Sequence, residues 1–369
     1  MVAPEQGEDL NYWNWGTLLP DEQEILIEEG DSWAVYKRGD FRDYSIVFPL
    51  DNGGLFHPDW LERVLEVYPD HVVEIIPEGG FPYPPERPGF RHILDTRKHE
   101  DGTYTTGIPH CGLLHYDETG RVIHFLEDEE ISHEAQILPN GHLLVCFPVS
   151  AVAREMDWDG NVYWEYRVED HILPYSKQHI VNLSEDSRYE NPLRLVEDHY
   201  NGSICLNSAQ ALPGGHHLLS FRNANLVVEL DENDEVVWTF GPMRIKHQHC
   251  VTKLDNGNIL IEDSCGMRVI EVAPNHEIVW EFGHGLVSTY QGTAQRLPDG
   301  NTLITDTYRT VAFCVNPGGR VLWEVYVKGR NALTLTEALE FQEMVSTGVR
   351  IYRAWAYPEG IGEALDPEH

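Results

Sequence analysis

Short apolar runs punctuated by glycine turns dominate the middle of the chain. Four segments, ILPNGHLLVCF, ALPGGHHLLSF, KLDNGNILIED and RLPDGNTLITD, set such a run after a turn carrying Gly141, Gly215, Gly257 or Gly300. A second element follows each: MDWDGNVYWEY, LDENDEVVWTF, VAPNHEIVWEF and VNPGGRVLWEV, marked by Trp164, Trp238, Trp280 and Trp323. An earlier copy, YDETGRVIHFL, has His124 at the tryptophan position. The last two steps are about 42 residues, the first about 40, and the step from Trp164 to Trp238 is longer by about 32. The runs are too short and too β-branched for a 3.6-residue helical period, and the glycines supply the positive φ of tight hairpins. A period near 42 built from such strands predicts four-stranded propeller blades, with the tryptophans packed between neighbours.

The predicted fold is therefore all-β, a six-bladed β-propeller, with seven blades as the alternative count. Five copies run from about residue 108 to 330. Residues 1–107 read as an N-terminal extension and an irregular first blade, with SWAVYK, YSIVF and HVVEII as strands and PDWLERVLEVY as a short helix. Residues 331–369 supply a short C-terminal helix, TEALEFQEMV, and a strand, VRIYRAWAY, that completes the first blade and closes the ring. The extra residues fall at 167–203 and carry His171, Tyr175, His179, Tyr189 and His199. Such an insertion forms a loop on one face, either a lid over the central opening or an acidic surface loop.

The innermost strand of each blade lies just before its glycine turn. Alignment on those glycines puts His133, Asn207, His249 and Gly292 at one level, and Ile131, Cys205, His247 and Tyr290 two residues earlier. Residues two apart on a strand share a face, so three histidines, an asparagine, a tyrosine and a thiol converge on one axial pocket. Two chemistries fit. A neutral histidine can attack an electrophile and carry a covalent group while Arg222, just after its strand, binds an oxyanion with its planar fork. Alternatively His133, His247 and His249 bind a transition metal. No carboxylate or thiolate partner stands at familiar metal spacing, which favours the first, cofactor-free chemistry. Asp306 and Tyr308 face the channel or pack against outer strands. Cys250, on the opposite parity, packs between blades, and His216 and His217 are read as solvated turn residues. No Gly-rich phosphate loop, GxSxG elbow or HExxH pair occurs.

Charge and composition narrow the partners. The 369 residues include 61 Asp+Glu against 26 Lys+Arg, a formal charge of −35. So acidic a surface repels phosphate backbones and anionic membranes, which argues against nucleic-acid or membrane partners and for a small-molecule substrate. It suits either a protein kept soluble in high salt or an ordinary acidic one. Hydrophobic residues at 41% and aromatics at 11% are ample for a core. No run approaches the roughly 20 apolar residues of a membrane helix, and the N-terminus has no basic-then-apolar signal. Six scattered cysteines without a CxxC pair point to a reduced compartment, so the cytoplasm is the expected location. Oligomeric state is left open by these patterns.

SHEAQILPNGHLL, CLNSAQALPGG with SFRNAN, HQHCVTKLDNGNILIEDS, TAQRLPDGNTLI with VLWEV, and VRIYRAWAYP together resemble the arylsulfate sulfotransferase family of propellers over roughly residues 108–357. The resemblance implies six blades around a funnel, and transfer of a sulfuryl group from a phenolic sulfate to a phenol through a sulfated histidine. His249 falls at the nucleophile's position and His133 at that of another pocket histidine, the expected acid/base. Asn207 and Arg222 match the residues that hold the sulfate, with Tyr290, Cys205 and His247 shaping the pocket. The family pattern has a histidine where this chain has Cys205, so elimination or hydrolysis is an alternative outcome. In a lyase, His249 or Tyr290 would abstract a proton while Arg222 binds a carboxylate or sulfonium substrate. A non-catalytic ligand-binding propeller is the third reading.

Overall fold

A computed structural model describes residues 18–30, 33–51, 62–82, 93, 95–131, 134–168, 204–283, 286, 292–307, 309–329, 350–351 and 353–358. The chain opens with a hairpin, β1 (Ile25–Glu29) and β2 (Trp33–Gly39), followed by β3 (Tyr44–Asp51), β4 (Glu62–Val67) and β5 (Val72–Ile75). The second blade is β6 (Asp95–Lys98), β7 (Tyr104–Ile108), β8 (Gly112–Tyr116) and β9 (Val122–Glu127). The third is β10 (Ala135–Ile137), β11 (Leu143–Phe147), β12 (Val152–Met156) and β13 (Val162–Arg167). The fourth is β14 (Leu206–Leu212), β15 (His216–Phe221), β16 (Leu226–Leu230) and β17 (Val236–Phe240). The fifth is β18 (Val251–Lys253), β19 (Ile259–Asp263), β20 (Arg268–Val272) and β21 (Ile278–Phe282). The sixth is β22 (Ala294–Arg296), β23 (Thr302–Asp306), β24 (Val311–Val315) and β25 (Val321–Gly329), after which β26 (Arg350–Ile351) and β27 (Trp355–Pro358) return to pair with β3. The fold is thus all-β, six blades in a propeller, with almost no helix among the described residues.

Ring closure follows the expected route, since the C-terminal strand becomes the innermost strand of the first blade. Side chains tie it to the last blade: Gln295 accepts from the Ala356 N–H at 2.8 Å and donates to its carbonyl at 2.9 Å, and Thr293 Oγ1 donates to the Ala354 carbonyl at 3.0 Å. The SWAVYK strand, read within the N-terminal extension and irregular first blade, is β2, which adds with β1 to the outer edge of β25 and makes a six-stranded sheet. One local expectation is corrected. The stretch read as a helix contains strand β4 instead. Its Val64 faces the seam between the first and second blades, while Leu65 and Val67 face the seam with the sixth. A strand buried on both faces has no alternation and mimics a buried helix. The proposed C-terminal helix lies outside the described residues.

Six apolar clusters hold the described blades together, one at each seam between neighbours, from Tyr104, Leu114 and Tyr116 against Val47 and Ile75 round to Leu303, Ala312 and Val325 against Ile46, Phe48 and Leu50. Three of the four repeat tryptophans bridge these seams with their indole N–H groups. Trp164 donates to Asp234 Oδ1 at 2.9 Å, Trp238 to the Pro274 carbonyl at 3.2 Å, and Trp280 to the Pro317 carbonyl at 3.0 Å. Each acceptor sits in the outer turn of the next blade. His124, standing in for tryptophan, instead stacks on Trp158 of the next blade at 4.9 Å. Among the described residues no helix is long and apolar enough to cross a membrane.

Candidate functional site

The site forms where the inner strands of the fourth and fifth blades begin. Asn207 sits at a bulge in β14, where the pairing with β15 skips from Leu206 opposite Phe221 to Ser208 opposite Ser220. A bulge re-aims the side chain it carries. Here the amide turns into the seam: Nδ2 donates to the Gln248 carbonyl at 2.8 Å and Oδ1 accepts from Ser220 Oγ at 2.9 Å. Gln248 Nε2 in turn donates to Ser220 Oγ and to the Leu226 carbonyl, both at 3.1 Å. This buried lattice fixes the segment that carries His247 and His249.

The same segment is pinned from its own blade. His249 N–H donates to the Glu262 carbonyl at 3.0 Å, Cys265 N–H to the Lys246 carbonyl at 3.0 Å, and Lys246 N–H to Asp263 Oδ1 at 2.6 Å. The His247 N–H donates to Asn225 Oδ1 at 2.8 Å, and His247 holds a left-handed φ of 51°. A non-glycine residue in that region costs energy and persists where its surroundings over-determine it; Cys205 opposite has φ 57°.

His249 is almost fully buried, with Nδ1 2.6 Å from Ser264 Oγ. The Ser264 hydroxyl donates onward to the Glu262 carboxylate. The His249 ring is thus held by a serine–glutamate relay on its Nδ1 side. Ser264 opens the 3-10 turn Ser264–Gly266 at the end of β19, and Cys265 follows it, its Sγ 3.4 Å from His247 Nδ1. Arg222 extends β15: its N–H donates to the Cys205 carbonyl at 2.9 Å and its Nη1 to Asn223 Oδ1 at 2.9 Å. Burial pushes the Cys205 thiol up to about 11, with the Arg222 guanidinium pulling the other way. Burial also raises Cys265, opposed by Arg222 and Lys246. One cation therefore faces both thiols, and both thiols keep their protons near neutral pH.

The structure brings Cys205, Asn207, Arg222, His247 and His249 together. His133, Tyr290 and Tyr308 lie outside the described residues, as does the insertion from 169 to 203 with its histidines. Gly292, at the level of His249 on the next blade, is a spacer: a Cβ there would stand 2.9 Å from the Thr305 carbonyl and 3.0 Å from Glu262 Oε1. Cys250 reaches across its seam, with Sγ 3.5 Å from the Ala294 carbonyl. His217 is not solvated; it is buried, stacks on Trp164 at 3.9 Å, and burial lowers its pKa. Asp306 is fully buried and accepts from the Arg309 N–H. Two arginines and two carboxylates cluster next to Asn207. Arg353 lies 3.4 Å from Asp95 and 3.5 Å from the Asn207 carbonyl, and Arg97 pairs with both Asp95 and Glu134. Among the described residues no group of three or more His, Cys, Asp or Glu side chains is arranged to hold a metal ion.

Glu262, Ser264 and Cys265 escaped the sequence reading. A signal was present, because Ser264 follows the Gly257 turn at the same spacing by which Arg222 follows Gly215 in the preceding blade.

Fold and site define the class: a six-bladed propeller with a buried cluster of histidine, asparagine and arginine where two inner strands begin. The arylsulfotransferase (ASST) family model matches residues 91–254. The chain is arylsulfotransferase-like over that stretch, which holds Cys205, Asn207, Arg222, His247 and His249 and stops short of the Glu262–Cys265 relay. Curated protein sequences give no match. Among solved structures it is similar to a protein of unknown function from Bacteroides caccae, at 12% identity and TM-score 0.53, covering 86% of this chain and 100% of that one. It is also similar to virginiamycin B lyase from Staphylococcus aureus, at 9% identity and TM-score 0.47, covering 83% and 98%. The former likeness concerns the fold alone.

Proposed function

We propose that the protein transfers a sulfuryl group from an aryl sulfate to a phenolic acceptor through a covalent intermediate on His249. The relay on Nδ1 carries this reading. A ring fixed at Nδ1 directs Nε2 to the opposite side, as a histidine nucleophile requires. In the first half-reaction the Nε2 lone pair attacks sulfur; the N–S bond forms and the S–O(aryl) bond breaks, its electron pair leaving on the phenolate oxygen, which then takes a proton. In the second, an acceptor phenol attacks sulfur and loses its proton, and the N–S electron pair returns to Nε2. The Glu262 carboxylate, through Ser264, stabilises the positive charge on the sulfated ring, and Arg222 stabilises the sulfuryl oxygens. Asn207 acts by holding the Gln248–His249 segment. His133 takes the proton-transfer role on the resemblance alone. The arylsulfotransferase match supports a transferase of this type.

With p-nitrophenyl sulfate as donor, nitrophenol release should accelerate on adding phenol and fall by about three orders of magnitude in His249→Ala. Undiminished turnover in His249→Ala would overturn the assignment of the nucleophile.

A further inference from the structure

Two histidines flank Gln248, and both touch consecutive residues of a single turn. His249 Nδ1 meets Ser264 Oγ at 2.6 Å, and His247 Nδ1 meets Cys265 Sγ at 3.4 Å. A serine hydroxyl has one hydrogen. Ser264 gives it to Glu262, whose carboxyl group in its ionised form is acceptor-only. Ser264 must then accept from His249, so the hydrogen of that neutral ring lies on Nδ1 and the lone pair on Nε2. Cys265 presents the reverse case. Its half-buried thiol, raised by desolvation, keeps its hydrogen, sulfur is a weak acceptor, and an imidazole lone pair is a good one. The S–H therefore donates to His247 Nδ1, which leaves the His247 hydrogen on Nε2.

We infer that the Ser264–Cys265 turn sets the two histidines in opposite tautomers, making His249 the lone-pair nucleophile and His247 a neutral hydrogen-bond donor to the transferring group. The roles rest on the sulfuryl-transfer reading; the tautomers rest on the hydrogen bonds alone. Glu262, Ser264 and Cys265 are positioning residues that act through the rings they hold. The pairing gives one short segment both groups the reaction needs. Nε2 of His249 attacks sulfur, while the Nε2–H of His247, beside the thiol that Arg222 also faces, donates to the oxygen that gains charge.

Long-range nitrogen–proton NMR of the full chain with labelled histidine reads both tautomers without substrate, with assignments from His247→Gln and His249→Gln. The expected spectrum shows a protonated Nδ1 at His249 and a protonated Nε2 at His247. A shared tautomer, or the reverse pattern, overturns the inference. Ser264→Ala should release the His249 tautomer and lower kcat about 10²-fold with little change in KM, and Ser264→Thr should recover most of both. Cys265→Ala should alter the His247 signals alone. Unchanged His249 signals in Ser264→Ala contradict the inference, and the wild-type spectrum decides it even if that variant does not fold. A protein that shows the expected tautomers but takes up no sulfuryl group supports the tautomer assignment and overturns only the reaction.

Discussion

The chemistry of the site comes from residues whose identities look ordinary in sequence. Gly292 shows this best. Alignment on the turn glycines marks it as the blank position among His133, Asn207 and His249, yet its lack of a side chain is what admits the Glu262 carboxylate that ends the His249 relay. Gly292→Ala should crowd Glu262 and the Thr305 carbonyl, costing about 1–3 kcal/mol of stability and roughly 10-fold in nitrophenol turnover by loosening the relay. Urea unfolding with parallel steady-state assays checks both effects; wild-type values in each would refute the spacer role. Asn207 and His249 were legible as candidates because the turn-to-strand register repeats, and Arg222 because it directly follows its strand. Glu262 and Cys265 were not, and Ser264, although it stands at Arg222's position of the next blade, drew no attention because a serine near a strand end is ordinary sequence. Only the three-dimensional relay distinguishes them.

At the scale of elements, strand positions were readable wherever one face differed from the other or a glycine turn followed. Three of the outer-strand tryptophans, Trp164, Trp238 and Trp280, held to that pattern, each donating to the next blade's turn, while Trp323 packs on Phe41. Strand β4 was not readable, because blades on both sides bury it. The destination of β2 was equally hidden, since joining the outer edge of β25 is a pairing about 290 residues distant and leaves no local signature. Trp280→Phe keeps the ring but removes the hydrogen bond to the Pro317 carbonyl. It should lower stability by about 1–2 kcal/mol in equilibrium denaturation, with the donor chemistry untouched. A neutral result would mean the indole N–H contributes nothing to the seam.

For the whole molecule, the ring is a closed circuit of six seams, so weakening one weakens all. The seam between the second and third blades has a histidine stack where others have tryptophan: His115 on His124 at 5.7 Å and His124 on Trp158 at 4.9 Å, with His99 edge-on to His115 at 6.1 Å. Burial first, and then His115, drives the His99 pKa down from 6.5 to about 4. Asp101 opposes this and Arg97 reinforces it. His99 is therefore neutral in the fold, while the unfolded chain takes up a proton as pH drops below 6.5. Stability is full above 6.5, falls as pH goes from 6.5 towards 4, and levels off below. The loss from His99 is on the order of 3 kcal/mol. His99→Gln should flatten that part of the pH–stability curve; an unchanged slope would show that His99 does not control it.

The central claim is that His249 carries the sulfuryl group. Intact-protein mass spectrometry of the full chain after mixing with p-nitrophenyl sulfate tests it most directly. The account predicts a gain of one sulfuryl mass that disappears on adding phenol and is absent from His249→Ala. An unmodified mass while nitrophenol is being released, or an adduct that persists in His249→Ala, would contradict it.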